Sequence, residues 1–438
     1  MSGTDYRRPE ARLHLNGFFP FGPIYVWDEV DRPEDYYEFA GFAQLARTAE
    51  RGLFTAIFLG DSQRLREHLG AITDTAVTGR PDQLVLFAHL AALTERIGFV
   101  ATLNTTYSDP AELARRLSTV DALSGGRTGW NLVTTDNAWT GENFRKGGYL
   151  GHAQRYRHAR EHLSIVHRLW DQEPVDFHGE FYDVTAAPSL SRSRQHRPVL
   201  FQAGESDEGR DFAARHAEAI FSRYLDFDAA LSFADDIAAR LAAAGRPRDD
   251  IRIIPAAKIT LAGTLDEARE KAAWFDRQTW TDRRIRAVLE AVWGCDLSAF
   301  DVDGPLPGFD PVDPEQTKTH GVVNSRDRPR RTAEGWRELA AERGYSIRGL
   351  VAHLSRTREF VGTPASVADE LTHYVRAGAI DGLNLAPHAV PTGFDDVVDL
   401  LVPALQDRGS YPAEYPGTTL RENLGLRPPV DLRDLITT

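Results

Sequence analysis

Eight short apolar runs alternate with longer amphipathic segments along the chain, and this alternation restricts the fold more than any other feature. Near-continuous apolar strands followed by helices are typical of a parallel sheet that is covered by helices. Eight such units fit a closed barrel better than an open, doubly wound sheet. The sequence therefore predicts an α/β fold, a single (β/α)8 TIM barrel over residues 1–438. The strands are expected within residues 12–18, 53–59, 97–103, 127–133, 198–203, 218–222, 251–261 and 380–386.

One stretch between the seventh and eighth strands interrupts this alternation. Residues 296–331 are rich in proline, glycine and aspartate and contain few apolar side chains. Loops of this length are usually functional or disordered. Because the stretch follows a strand, it should emerge where barrel active sites form. The sequence predicts an insertion over residues 276–345 whose loop acts as a lid; a surface excursion or an oligomer contact is the alternative.

The amino-acid composition argues against several kinds of partner and of site. The formal net charge is −13, from 51 basic and 64 acidic side chains, which disfavours nucleic acid and anionic membrane surfaces as partners. The N-terminal residues contain no apolar signal segment, and no apolar run approaches the roughly 20 residues that span a bilayer. The single cysteine, Cys295, permits neither an intramolecular disulfide nor a cysteine-based metal site. These features predict a cytoplasmic protein, and no metal site is expected.

The residues that follow the predicted strands are mainly asparagine, threonine and serine, which suit a polar planar ligand with a hydroxylated tail. Barrel active sites form at these strand ends. Other barrel chemistries have less support: the strand ends supply no clear ligand set for a metal hydrolase. Lys258 has no acid–base partner in the sequence for Schiff-base chemistry and is interpreted as structural. A glycosidase needs two carboxylates; Asp61 follows a strand, but Glu205 lies at a helix start.

The turn after the fifth strand indicates an anion site. Gly204 leads into a helix for which Ser206 is a good N-cap. The free N–H groups of such a helix start suit a phosphate. His152 and Tyr156 are spaced i, i+4 on another helix, so both can donate hydrogen bonds from one face. An ordinary capped helix is the alternative, and the negative charges of Glu205, Asp207 and Glu208 oppose a phosphate.

Four stretches carry a resemblance to a known family: VATLNTTYSDP (100–110), STVDALSGGRTGWNLVTT (118–135), PVLFQAGESDEGRDFAARHAEAIF (198–221) and FVGTPASVADEL (360–371). The chain resembles the bacterial luciferase-like flavin monooxygenase superfamily. Within it, the chain is most similar to the branch of nitrilotriacetate, dibenzothiophene sulfone and long-chain alkane monooxygenases. The resemblance covers nearly the whole chain and implies FMN bound at the C-terminal mouth of the barrel.

The resemblance also implies which residues bind the cofactor. Those near the flavin ring are Asp61, Thr102, Asn104, Asn131 and Thr134. Those at the phosphate are His152, Tyr156, Ala203, Gly204, Glu205 and Ser206. The segment after strand one is strongly aromatic, and we expect Asn16, Phe18, Phe19 and Phe21 to contact an apolar part of the substrate. No residue is assigned a catalytic role.

The mechanism implied by the resemblance needs reduced FMN from a separate NAD(P)H:flavin reductase. Reduced FMN reacts with O2 to give a C4a-(hydro)peroxyflavin, which oxidises a small organic substrate at carbon, sulfur or nitrogen. No G-x-G-x-x-G follows a strand, as expected if the chain does not bind NAD(P)H itself. A homodimer or homotetramer is expected. The alternatives are a deazaflavin-dependent hydride-transfer enzyme of the same superfamily and a non-catalytic flavin-binding protein.

Overall fold

The computed structural model describes residues 6–19, 26–27, 39–60, 67–69, 71–72, 81–134, 152–312, 328–354, 359–390 and 392–429. Ten strands of this part form one parallel sheet. They are β1 (His14–Phe18), β2 (Ala56–Leu59), β3 (Gly98–Asn104), β4 (Thr128–Val133), β5 (Val199–Gln202), β6 (Ala219–Ile220), β7 (Arg252–Ile253), β8 (Ala256–Leu261), β9 (Glu359–Gly362) and β10 (Gly382–Leu385). The predicted runs contain all of these except β9 and the last residue of β3, Asn104. The α/β prediction is confirmed.

The sheet closes into a barrel through one continuous run. Its order is β7-β6-β5-β4-β3-β2-β1-β10-β8-β9, and β7 and β8 are consecutive pieces of residues 252–261. On one side of this run, the N–H of Ile254 donates to the carbonyl of Ile220 at 2.9 Å. On the other side, the N–H of Asp381 donates to the carbonyl of Ile253 at 2.9 Å. Strand β9 lies beyond this closure and pairs with the far half of β8.

Helices cover the outside of the barrel and fill the long connection between β8 and β10. They are α1 (Phe39–Arg51), α2 (Gln83–Ala91), α3 (Pro110–Leu123), α4 (His152–Trp170), α5 (Asp207–His216), α6 (Phe227–Ala243), α7 (Leu265–Thr279), α8 (Asp282–Trp293), α9 (Arg328–Arg343), α10 (Ile347–Leu354), α11 (Pro364–Ala377), α12 (Val402–Asp407) and α13 (Leu420–Asn423). Among the described helices, none combines the length and the hydropathy needed to cross a membrane.

The alternation of side chains along each strand separates two layers of core. One layer packs strands against helices and includes Leu15, Leu103, Trp130, Leu200, Ala257 and Leu383. The other lies inside the barrel and includes Ala56, Phe58, Val100, Phe201 and Ile254. Successive residues of a strand point to opposite faces. The sequence neighbours of the helix-facing residues therefore face the barrel interior.

The N-terminal end of the barrel is plugged by a segment that follows the last strand. Leu420, Leu424 and Leu426 join the interior cluster. A Cβ on Gly98, the first residue of β3, would lie 2.6 Å from a methyl of Leu420, so this glycine makes room for the plug. The Arg252 side chain donates to the carbonyl of Leu424 at 2.8 Å. The opposite, C-terminal end is the one left for a ligand.

The predicted long loop is not a free loop over its first half. Leu297 and Val302 are buried with side chains of α8, α9 and α10, so residues 296–312 belong to a small core of their own. The Trp293 indole donates to the carbonyl of Phe309 at 3.0 Å. The few apolar residues of this stretch are thus enough to hold it on the helices. Residues 313–327 lie outside the described part.

Candidate active site at the C-terminal mouth of the barrel

Amide and hydroxyl side chains line the barrel interior near the C-terminal ends of four strands. Asn16 pairs in register with Asn384 on one side and with Ala56 of the interior cluster on the other. Thr102 and Asn131 pair across β3 and β4, and the Asn131 amide donates to the Thr102 hydroxyl at 3.0 Å. The structure thus brings three predicted residues, Asn16, Thr102 and Asn131, together with Asn384 in one interior layer.

Several polar atoms in this layer lack a partner. The Oδ1 atoms of Asn16 and Asn131, and both side-chain polar atoms of Asn384, are buried without a hydrogen bond in the described structure. Buried polar groups are nearly always hydrogen-bonded, to protein or to ordered water. An unpaired amide inside a barrel can accept from and donate to the edge of a polar ring. The layer therefore fits the planar, hydrogen-bonding part of a flavin.

Aromatic rings form the neighbouring wall. Phe18 stacks on Phe58 with ring centroids 5.7 Å apart, and Phe58 stacks on Phe221 at 5.8 Å. Phe19, predicted to contact substrate, is placed elsewhere: it is fully buried on the helix side against Phe42, at 5.4 Å. The prediction for Phe19 is corrected because adjacent residues leaving a strand face opposite sides of the sheet. Phe21 lies outside the described residues.

The turn between β5 and α5 is tightly built around the Tyr156 hydroxyl. The Ser206 hydroxyl caps α5 by accepting from the N–H of Gly209 at 3.2 Å. A Cβ on Gly204 would lie 2.9 Å from the Tyr156 oxygen and 2.3 Å from the Gln202 amide nitrogen. Only glycine leaves this space open. The start of a helix, a cap and a phenol hydroxyl thus converge as a phosphate site requires.

Electrostatics at this turn are compatible with an anion. Burial raises the pKa of the Tyr156 phenol, although hydrogen bonds with Ser206 and Gln202 oppose that shift. Tyr156 therefore stays a neutral donor. The carboxylate of Glu205 pairs with the Arg223 guanidinium at 2.5 Å and accepts from the Arg223 N–H at 2.8 Å. Asp207 pairs with Arg240 at 2.9 Å, so two of the three carboxylates at this helix start are paired, whereas Glu208 still opposes an anion and also raises the pKa of Tyr156.

The other predicted cofactor residues that the structure describes lie at the ends of strands or at the start of a helix. Asn104 is the last residue of β3, and its side-chain oxygen accepts from the N–H of Thr106 at 2.6 Å. Thr134 directly follows β4 and is half-buried, and Ala203 directly follows β5 and is exposed. His152 is the first residue of α4, and nothing is described of its side chain. Asp61 lies outside the described residues.

A second polar cluster, which the sequence alone does not reveal, lies where β8, β9 and β10 meet. His388 Nε2 is 2.8 Å from the Glu359 carboxylate, and the Thr260 hydroxyl donates to the same oxygen. Lys258, on the interior-facing side of β8, pairs in register with Glu359. We call Lys258, Thr260, Glu359 and His388 the rim cluster. Its members are separated by up to 130 positions, and β9 was not predicted, so no sequence pattern connects them.

Comparison with known proteins agrees with this geometry. The family model described as luciferase-like monooxygenase matches residues 22–380. The N-acetyl-S-(2-succino)cysteine monooxygenase of Bacillus subtilis is 34% identical over 92% of this chain and 94% of its own. Nitrilotriacetate monooxygenase component A of Aminobacter aminovorans is 32% identical over 89% and 90% of the two chains.

A solved structure gives the same result at the level of the fold. Riboflavin lyase, crystallised with modified FMN and riboflavin, superimposes with a TM-score of 0.77 at 26% identity, covering 95% of this chain and 96% of the other. The resemblance predicted from the four sequence stretches is thereby confirmed. The family model matches most of this chain, and both relatives named above share more than 30% of its residues. Together with the barrel fold, these matches show that the chain belongs to the family of luciferase-like monooxygenases.

Proposed function

We propose that the chain is the oxygenase component of a two-component, FMN-dependent monooxygenase that acts on a small organic substrate. One observation carries the proposal. The glycine turn, the capped helix and the Tyr156 hydroxyl stand at the same end of the barrel as the unpaired interior amides. A phosphate and a polar ring of one ligand would meet these two sets of groups together.

Different residues would bind the phosphate and the ring of the cofactor. Tyr156, Ser206 and the first N–H groups of α5 would bind the phosphate, whereas Asn16, Thr102 and Asn131 would meet the ring. When bound in its reduced form, FMN supplies activation of O2 and transfer of one oxygen atom to the substrate. The protein contributes binding, orientation and exclusion of water. The stacked Phe18 and Phe58 rings would keep one wall of the cavity dry.

A separate NAD(P)H:flavin reductase is the proposed partner, supported by the relative that is itself named a component A. The monooxygenase names of the relatives favour oxygen transfer over deazaflavin-dependent hydride transfer. Oxygen uptake with chemically reduced FMN and a substrate library separates the two. Oxygen consumption that yields only H2O2 with every compound, or none at all, would contradict the monooxygenase assignment.

A titration of oxidised FMN and riboflavin tests the phosphate site. Each hydrogen bond to a charged group contributes roughly 1.5–3 kcal/mol. Tyr156→Phe and Ser206→Ala should therefore each weaken FMN about tenfold or more, and riboflavin should bind far more weakly than FMN. Thr264→Ala removes an N-cap of the same kind from α7 and should leave FMN affinity unchanged. Equal affinities for FMN and riboflavin would remove the phosphate assignment.

The insertion is proposed to close over the site. Its helices α8 to α10 carry a core of their own, so a shortened connection within residues 313–327 should leave the barrel folded and FMN bound. Exclusion of water is the function of a lid. We expect the shortened variant to release more H2O2 for each product molecule formed. An unchanged ratio would reassign the segment to a surface or oligomer role.

The outer face of α2 and α3 is the proposed contact between copies in a homodimer or homotetramer. Val85 and Leu123 are 69% and 68% exposed and line one groove. Large apolar side chains grouped on a surface commonly mark protein–protein contacts. Sedimentation of a Val85→Asp, Leu123→Asp double variant should show a smaller assembly than the parent chain. An unchanged assembly would place the contact elsewhere.

A further inference from the structure

Lys258 is a largely buried cation without a partner. In the part of the chain that the structure describes, its ammonium makes neither a hydrogen bond nor an ion pair within 4 Å. Burial lowers its pKa, with Glu359 and Asp276 acting in the opposite direction. The exposed Lys271 differs, since it pairs with Asp396. A buried charge is stable only when it is paired, so an anion in direct contact with the Lys258 ammonium is missing among the described residues.

His388 belongs to the same rim cluster as Lys258. One of its ring nitrogens has hydrogen-bonding partners, and the other has none in the described structure. Its Nε2 lies 2.8 Å from the Glu359 carboxylate and 3.0 Å from the Thr260 hydroxyl. Its ring stacks on Phe275 at 4.3 Å and 9°. The Nδ1 atom is buried and has no hydrogen bond within the described structure. The ring therefore cannot turn freely, and the unpaired atom points away from Glu359.

The rim cluster is separate from the groups that would hold FMN. The proposed cofactor contacts come from β1 and from β3 to β5 with α4 and α5, whereas the cluster stands on β8, β9 and the end of β10. In the interior layer, Asn384 links the two regions, because it pairs with Asn16 on one side and Ala256 on the other. A substrate placed beside the flavin would reach the rim cluster with its far end.

The charges of the cluster identify the group that fits. The Glu359 carboxylate is already engaged by His388 Nε2 and by the Thr260 hydroxyl, so it forms no ion pair with the Lys258 ammonium, and a single anionic group would supply that missing partner. Asp276, the other acid that acts on Lys258, is exposed on α7 and screened by solvent. The anion would accept from the ammonium and lie beside the buried, unpaired Nδ1 atom of His388.

We propose that Lys258 and His388 bind an acidic oxygen group of the substrate, a carboxylate or a sulfur oxyacid, and that Glu359 positions His388 for this contact. The proposal rests on the monooxygenase function proposed above and names its substrate class. The stacked Phe18 and Phe58 rings lie in the same interior. An apolar body with one acidic end is therefore the expected substrate.

The probe is phenylacetate, compared with its neutral isostere phenylacetamide, and binding is measured on the flavin-free protein. Only four lysines are present, Lys146, Lys258, Lys271 and Lys318, so ζ-15N-lysine labelling gives at most four side-chain signals. Loss of one signal in Lys258→Met assigns it. We expect phenylacetate to shift the Lys258 signal, and phenylacetamide to leave it in place.

Affinity variants complete the test. Phenylacetate should bind Lys258→Met about tenfold or more weakly and His388→Asn several-fold more weakly, as expected for charged hydrogen bonds. Lys271→Met is the matched control and should bind like the parent chain. In Glu359→Gln, 15N-histidine spectra should show a changed chemical shift for Nε2 of His388, because that atom loses its carboxylate partner. Lys258→Gln is the second variant if Lys258→Met does not fold.

Three results would overturn the proposal: no binding of phenylacetate, equal binding of phenylacetamide, or unchanged affinity in both folded Lys258 variants. FMN titration of the same samples separates this failure from that of the proposed function. Normal FMN binding with no preference for the acid rejects only the substrate class. Loss of the preference for FMN over riboflavin in the parent chain rejects the cofactor site itself.

Discussion

The two ends of the barrel differ in whether their buried polar groups have hydrogen-bond partners. At the N-terminal end one buried carboxylate is fully engaged: Asp381 accepts from Arg8, from Arg248 at 2.8 Å and from the N–H of Ile253 at 2.7 Å. Arg421 and Glu218 form a second buried pair there at 2.5 Å. At the C-terminal end, by contrast, buried unpaired atoms belong to Asn16, Asn131, Ser222, Asn384 and His388 in the described structure. One end is built for stability and the other for binding.

This contrast separates two energetic roles. A buried polar atom without a partner costs about 1–3 kcal/mol, so the C-terminal end lowers the stability of the ligand-free protein. The paired charges at the N-terminal end do not bear on ligand binding at all. Substitutions at the two ends should therefore change different measurements, and each prediction below tests that separation.

Asp381→Asn should have the largest effect. Burial opposes the charge of Asp381, but Arg248, Arg8 and Arg252 hold its pKa far below the usual range. Removing one partner of a buried ion pair costs about 3–5 kcal/mol, measured as the free energy of unfolding in urea. Asp399→Asn, which breaks a half-exposed pair with Arg51, should cost no more than about 1 kcal/mol. Equal losses in the two variants would contradict the contrast.

Acid should remove part of that stability. A depressed folded-state pKa stabilises the fold above the unfolded value and loses this contribution as pH falls toward the folded value. Glu218 behaves likewise: burial opposes its charge, but Arg421 lowers its pKa. Below about pH 4 the stability difference between the parent chain and Asp381→Asn should shrink by about 1.4 kcal/mol per pH unit. A difference that stays constant from pH 7 to pH 3 would contradict the assigned role of Asp381.

Gly204→Ala should act on FMN binding through a local shift of the turn between β5 and α5. The added Cβ would meet the Gln202 amide at 2.3 Å and the Gly209 Cα at 2.8 Å, so the turn must shift. Misplacing one or two phosphate contacts weakens FMN about ten- to a hundredfold. Gly335→Ala is the matched control, because nothing lies within 4 Å of its Cβ position. FMN affinity equal to that of the parent chain would show that the turn is not the phosphate site.

Asn384→Leu should have the smallest effect on stability and an opposite sign. Asn384 follows Asp381 by three residues, yet neither of its side-chain polar atoms has a partner in the described structure. Replacing an unsatisfied amide by an apolar side chain of similar size should leave the melting temperature unchanged or raise stability by about 1 kcal/mol. FMN and phenylacetate binding should both weaken. A large drop in melting temperature would mean that Asn384 is structural.

The strands of the barrel were predictable because a parallel strand is buried on both faces and reads as an apolar run. The four residues of β9 carry too weak a signal, since Glu359 and Gly362 interrupt the apolar pattern. The direction of Phe19 was missed for a related reason. A run of phenylalanines shows no alternation, so its sequence cannot distinguish the interior from the helix side.

Some residues of the candidate site could likewise be predicted from the sequence, and others could not. Ser206 and Gly204 were predictable because a cap and a glycine turn are local signals. Lys258 could be found as a strand residue but not explained, because Glu359 and His388 reach it only through the pairing of β8 with β9. Predicting that contact requires the sheet order, which depends on packing between distant segments.

The plug at the N-terminal end fixes the order in which this protein can mature. All ten strands are synthesised before Leu420 and Leu424, which belong to the same interior cluster as Val100 and Phe201. During translation the strands can pair, but their inner surface stays open to water until the plug arrives. Chains that stop after β10 would hold a complete sheet with an uncovered apolar floor. Such chains would be natural substrates for chaperones and proteases until Leu420, Leu424 and Leu426 cover the floor.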